Sequence, residues 1–192
     1  MLRVGIDLGG TKIEGVVLDG DNHPVFRTRI ATEQDGGYDH IINRIVMLSD
    51  KLRAHVPACA TVGIGTPGAI SSVDGRMKNS NTTCLNGRDL LGDLQRRLGV
   101  AVMMENDANC FALAEAVAGA AKGAEVVFGV ILGTGVGGGL VINGRVRRGL
   151  QHIAGEWGHH SIDPNGPECY CGQRGCVEAH ISGPSVSRHY AL

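Results

Sequence analysis

LRVGIDLGGTKIEGVVLD, residues 2 to 19, decides the fold. Two short β-branched runs, LRVGIDL (2–8) and IEGVVLD (13–19), flank GGTK, so the stretch reads as a hairpin with a glycine-rich tip. More than a hundred residues downstream the arrangement recurs: VVFGVILGT (126–134) and GGLVINGRV (138–146) bracket a second Gly-Thr-Gly tip, with a further turn at Asn143-Gly144. A hairpin that occurs twice, each time with glycine and threonine at its apex, predicts two related domains.

Working outward from the first hairpin, VFRTRIA (25–31) supplies a third strand. YDHIINRIVMLSDKLRAHV (38–56) spaces its apolar residues as a helix, which Pro57 closes. TVGIG (61–65) is a buried strand, RDLLGDLQRRLG (88–99) an amphipathic helix stopped by Gly99, and AVMMEND (101–107) another strand. ANCFALAEAVAGAAKG (108–123) is an Ala-rich helix. The order β-β-β-α-β-α-β-α, followed by the second hairpin, predicts an α/β protein with mixed sheets. The expected division is a domain at 1–120 and the start of a second at 121–192, ending in a helical turn within PSVSRHYAL.

Composition limits the function classes. The chain has 192 residues, 43% hydrophobic and 19% charged, enough apolar material for a core. Net charge is -1, which leaves no footprint for nucleic acid or an anionic membrane. The longest apolar runs are too short to span a bilayer, and MLRVGIDLGG does not read as a signal peptide. These features predict a cytoplasmic location, where clustered cysteines bind metal more often than they pair. The 30 glycines and 4% aromatic residues suggest tight turns and close backbone approaches.

Several segments carry chemistry. In IDLGGTK (6–12), Gly9, Gly10 and Thr11 can turn backbone N–H groups and a hydroxyl into one concavity suited to phosphate, and ILGTGVGGG (131–139) can do the same. Asp7 could hold Mg²⁺ through water, and Lys12 adds positive charge; the P-loop spacing is absent. A facing pair of such turns suits ATP. Asp107 in MENDANC stands where a strand becomes a helix; the motif by itself reads as an N-cap before it reads as a general base. Asn106 is a hydrogen-bonding neighbour for a polyol. The amides Asn79, Asn81 and Asn86 in KNSNTTCLNG read as hydroxyl contacts or as a solvated turn. His159, Cys169, Cys171 and Cys176 match four-coordinate zinc with no position left for water, a structural site; disulfides and free thiols are the other readings, and His160 competes with His159. Cys59, Cys84 and Cys110 are expected to be packing residues.

IDLGGTK, GIGTPG, LNG, ENDANC, ILGTGVGGG, AGEWGH and CYCGQRGCVE, in that order, closely resemble the ROK family of bacterial sugar kinases and related repressors. The resemblance implies an actin-like, ribonuclease-H-like ATPase fold with the active site between two domains. It implies that Asp107 is the catalytic base, and that Asp7, Gly9, Gly10, Thr11 and Lys12, with Gly133, Thr134 and Gly135, hold the ATP phosphates. Gly65, Asn81, Asn106, Glu156, His159 and Glu178 would contact the hexose, and His159, Cys169, Cys171 and Cys176 would bind zinc. A start so close to the first hairpin leaves no room for the repressors' DNA-binding helices and favours the kinase branch. AGEWGH and MKNSNTTCLNG look most like fructokinases or mannokinases. Glucokinase, N-acetylglucosamine kinase and a non-catalytic sugar-binding protein are the alternatives. Kinases of this family continue well past residue 192, so the second domain is expected to be incomplete, with weakened ATP binding, and a homodimer is implied only for a longer chain.

Overall fold

The computed structural model describes residues 2–57 and 61–191, and the chain divides into two compact units, Met1–Asp107 and Ala108–Leu192. Cys59 lies outside the described residues.

The first unit is built on β1 (Arg3–Leu8), β2 (Lys12–Leu18), β3 (Pro24–Ala31), β4 (Val62–Thr66) and β7 (Val102–Asn106), in the order β3-β2-β1-β4-β7. β1, β2 and β3 are antiparallel neighbours, whereas β4 runs parallel to β1 and β7 parallel to β4. The parallel pairs require crossovers. α1 (Gly37–Arg53) provides the first, and α2 (Leu90–Leu98) lies within the second. α1 buries Ile41, Ile42, Ile45, Leu48 and Leu52 in a core with Val4, Ile6, Leu8, Ile13 and Val17 of the hairpin. Each such side chain contributes about 1.5–3 kcal/mol when fully buried. Gly15 on β2 makes room for the helix, because a Cβ there would stand 2.4 Å from Leu52 Cδ1. α2 is capped by the Asp89 carboxylate, which accepts from Gly92 N at 3.0 Å, and ends at Gly99, φ 63°.

Between α1 and α2 the short strands β5 (Ala69–Ile70) and β6 (Met77–Lys78) form a small hairpin that the sequence does not announce. Two-residue strands are too short to show alternation.

The second unit contains α3 (Asp107–Ala118, cut by the boundary after its first residue) and a three-stranded antiparallel sheet. The strands are β8 (Val126–Leu132), β9 (Val136–Ile142) and β10 (Arg145–Val146), in the order β10-β9-β8. Two helices close the unit, α4 (Val177–Ile181) and α5 (Gly183–Tyr190). The observed division after residue 107 replaces the expected one at 120. Ala112 and Ala116 of α3 form one buried cluster with Val127 and Val141, so the helix belongs to the second sheet. The approach is very close: a Cβ on Gly129 would lie 2.8 Å from Ala112 Cβ, and one on Gly139 2.5 Å from the Ala108 carbonyl. α3 also stops at Ala118 and not at 123. Gly119 N bonds back to the carbonyls of Ala114 and Glu115, and the Glu115 carboxylate accepts from Ala120 N. Among the described residues no helix is long and apolar enough to cross a membrane.

Candidate functional site

In the first unit the tip between β1 and β2 is a tight turn in which Gly9 N donates to Lys12 O at 3.0 Å. A side chain on Gly9 would meet that same carbonyl at 2.9 Å. The turn is braced from behind by Thr32, fully buried, whose Oγ1 donates to Gly9 O at 2.6 Å and whose N–H donates to Thr11 O at 3.0 Å. Thr82 closes another side. Among the described residues its buried Oγ1 has no hydrogen-bond partner, and a Cβ on Gly10 would lie 3.5 Å from it. Thr11 and Lys12 are exposed. The tip is thus a fixed loop with an unused hydroxyl beside it, a shape that suits an anionic oxygen.

Asp7 lies one step back on the sheet face opposite α1. The register sets it beside Glu14 on one side and Gly65 on the other, with Glu105 next to Gly65. Partial burial, then the neighbouring Glu14, raises the Asp7 pKa against the opposing pull of Lys12. A carboxylate held reluctantly charged is suited to a cation, and glycine at 65 leaves the space next to it open.

At the end of β7, the buried Asn106 donates through Nδ2 to Gly68 O and to Asp107 Oδ1, both at 3.0 Å. Gly68, φ 79°, is itself pressed onto the chain at 78–80, where a Cβ would lie 2.5 Å from Lys78 O. The Asp107 carboxylate therefore has a fixed neighbour on a fixed turn. Of the three loop amides, Asn86 is committed to the loop: its Oδ1 accepts from Ser80 N at 2.9 Å and its Nδ2 donates to Ser80 O at 3.0 Å. Asn79 takes the left-handed conformation, φ 56°, and Asn81 is exposed.

The second unit presents the second tip. Gly133 N donates to Gly135 O at 2.9 Å, and Gly133 O accepts from Gly183 N at 2.8 Å, which fastens Gly133-Thr134-Gly135 to the start of α5. Glu178 of α4 is buried beneath it. Its Oε2 accepts from Val136 N at 2.8 Å and would lie 2.7 Å from a Cβ on Gly135. The sequence names Glu178 through the family resemblance, as a hexose contact. Its contact with the hairpin has no signal there.

AGEWGH (154–159) lies backbone-to-backbone on β9. A Cβ on Gly155 would meet Gly138 O at 2.4 Å, and one on Gly158 would meet Val136 O at 2.0 Å. Trp157 Nε1 donates to Gly137 O at 2.9 Å, and Glu156 Oε2 lies 3.7 Å from the Cβ position of Gly137. This seat carries Glu156 and His159 over the strand that the second tip feeds.

His159 joins the cysteines. Its Nδ1 is 3.5 Å from Cys169 Sγ, Cys171 Sγ is 3.6 Å from Cys176 Sγ, and the four donor atoms lie within 4.8 Å of one another. Zinc–sulfur bonds of about 2.3 Å in a tetrahedron set donor atoms about 3.8 Å apart, so the cluster fits that ion. Cys169, Cys171 and Cys176 are free thiols. His160 is exposed and outside the cluster. Burial pushes the Cys176 thiol up to about 12, so a nearby cation is what its thiolate requires. The knuckle is shaped by its glycines: Gly172 and Gly175 have φ 88° and 61°, and a Cβ on Gly175 would strike Asp163 O at 1.7 Å. Glu178 Oε1 is 4.0 Å from His159 Nε2.

With these positions described, comparison with known proteins is informative. The model of the ROK family matches residues 3–191. The chain belongs to the ROK family. It is 40% identical over 197 residues to an N-acetyl-D-glucosamine kinase of Photobacterium profundum, covering 97% of this chain and 65% of that protein. It is 41% identical over 189 residues to one of Pectobacterium atrosepticum, covering 93% and 62%. Among solved structures it is similar to a ROK hexokinase from Thermus thermophilus, with TM-score 0.82, 32% identity and coverage of 100% and 63%. A ROK family glucokinase from Streptomyces griseus, in complex with glucose and AMPPNP, gives TM-score 0.83, 32% identity and coverage of 98% and 59%. The ROK chain accordingly has the actin-like ATPase fold and spans less than two thirds of the length of these relatives. These two curated relatives are N-acetyl-D-glucosamine kinases, whereas the AGEWGH and MKNSNTTCLNG segments look most like fructokinases or mannokinases.

Proposed function

We propose that this chain carries the machinery of a sugar kinase that transfers the γ-phosphoryl group of ATP to a hydroxyl of N-acetyl-D-glucosamine. The observation that carries this reading is the Asn106–Asp107 pair. An amide anchored on Gly68 O holds one carboxylate oxygen of Asp107 at 3.0 Å, as a positioned proton acceptor requires. The substrate is supported by the 40–41% identity to N-acetyl-D-glucosamine kinases.

In this reading the first unit contributes the Gly9–Lys12 turn for phosphate oxygens, and Asp107. The second unit contributes the Gly133–Gly135 turn, and Glu156, His159 and Glu178 for the sugar. Asp107 accepts the proton of the attacking hydroxyl as its oxygen bonds to the γ-phosphorus. The bond to the β–γ bridging oxygen then breaks and ADP leaves. Mg²⁺, held through water by Asp7, would neutralise phosphate charge, and zinc on His159, Cys169, Cys171 and Cys176 would stiffen the sugar loop. Asn81, with Gly65 and Asn106, completes the proposed sugar contacts.

The test is Asp107→Asn, assayed by ADP release with N-acetylglucosamine and by calorimetric sugar binding. The expected result is a loss of turnover of about 10²- to 10⁴-fold with sugar affinity kept. A variant as active as the parent refutes the assignment. Sugar binding without turnover in the unaltered chain would instead favour a non-catalytic sugar-binding protein.

A further inference from the structure

Tyr170 stands between two zinc-loop cysteines, and its side chain is 83% exposed as a residue. Its hydroxyl nevertheless points inward, 3.0 Å from His159 Nε2, with the two rings edge-on at 88° and their centroids 5.1 Å apart. The Glu178 carboxylate stands beside them, its Oε1 4.0 Å from the same Nε2. With His159 Nδ1 turned to the sulfurs, a zinc-bound ring would carry its proton on Nε2 and have one hydrogen bond to give there. The Tyr170 oxygen sits where that bond would be given and next to a carboxylate, the place a sugar hydroxyl would take between the same two groups.

We propose that Tyr170 is a gate on the sugar site: its hydroxyl occupies the His159–Glu178 position and has to leave before a sugar hydroxyl takes it. This inference rests on the assignment of His159 and Glu178 to the sugar. Nε2–H cannot serve two oxygens at full strength, so Tyr170 and the sugar compete, and the exposed ring can swing into solvent without leaving a cavity. Apparent affinity is lowered by the fraction of molecules in which the gate is shut.

Trp157, the chain's single tryptophan, lies two residues from His159 and reports on this loop. The experiment is a fluorescence titration of the full chain with N-acetylglucosamine, for the parent, Tyr170→Phe and Tyr170→Ala, with zinc content measured for each. Tyr170→Phe keeps the ring and loses only the hydroxyl. It should bind about fivefold more tightly, the net worth of one ordinary hydrogen bond, and Tyr170→Ala at least as tightly. If the parent binds and both variants bind equally or more weakly, the gate is refuted while the sugar site stands. If Tyr170→Phe loses zinc, the hydroxyl is part of the loop's framework and the gate is likewise refuted. If none of the three binds any hexose, the sugar-site assignment falls and the gate falls with it.

Discussion

Gly158→Ala should strongly destabilise the second unit. A Cβ at 158 would lie 2.0 Å from the Val136 carbonyl oxygen and 2.9 Å from its carbon, whereas ordinary contact begins at 3.4 Å. The neighbour is backbone at the first residue of β9, paired with Leu132 of β8, so no rotamer change relieves the clash, and the loop has to lift by about 1.4 Å. Gly158 does not have a positive φ, so strain of that kind does not confound the result. Gly158 O also accepts from Glu178 N at 2.9 Å, and the lift therefore disturbs α4 along with His159. Overpacking of this kind costs about 1–3 kcal/mol, and with backbone as the obstacle we expect the upper end, about 3 kcal/mol. For a chain of this size each kcal/mol moves Tm by about 2–4 °C, giving a fall of about 6–12 °C. Calorimetry measures it, with Gly137→Ala as the control, since a Cβ there meets only Glu156 Oε2 at 3.7 Å. If Gly158→Ala melts within about 1 °C of the parent, the close seating of AGEWGH on β9 is wrong.

Three further outcomes follow from the geometry. Protein purified without added metal should hold about one zinc per chain, and Cys176→Ser or a chelator should remove it and lower Tm; elemental analysis that finds none refutes the cluster. Asp7 has a raised pKa in the folded chain, so its charge opposes folding above the ordinary carboxylate range and has no effect below both pKa values. Asp7→Asn should therefore raise Tm near neutral pH, with the gain vanishing below about pH 4, as melting curves across pH will show. Thr32→Val removes the 2.6 Å bond to Gly9 O and leaves a half-buried acceptor without it. It should destabilise the first unit by about 1–3 kcal/mol in denaturant melts and weaken nucleotide binding; unchanged binding would mean that the tip needs no brace.

Much of this was legible in the sequence, because the informative residues sit at element ends. Gly9-Gly10-Thr11 and Gly133-Thr134-Gly135 interrupt β-branched runs, and a turn there has no other explanation. Val4, Ile6 and Leu8 alternate with Arg3, Gly5 and Asp7, which fixes the helix-facing side of β1. The apolar spacing of Ile41, Ile45, Leu48 and Leu52 predicts α1. What escaped depends on contacts distant in sequence. Thr32 and Thr82 look like ordinary loop residues until the first tip is folded against them. Glu178 looks like a surface acid until α4 carries it under the second tip. The boundary was misplaced because an Ala-rich helix gives no sign of which sheet it joins; only the glycines at 129 and 139 make room for it.

Gly155 and Gly158 meet β9 through main chain alone. A joint of that kind has no side chains to exchange, so it cannot be retuned by mutation without being broken. On the proposed reading of the sugar site, altering its carbohydrate preference means leaving the joint intact and working at the periphery, where side chains face solvent and the scaffold is indifferent to their size.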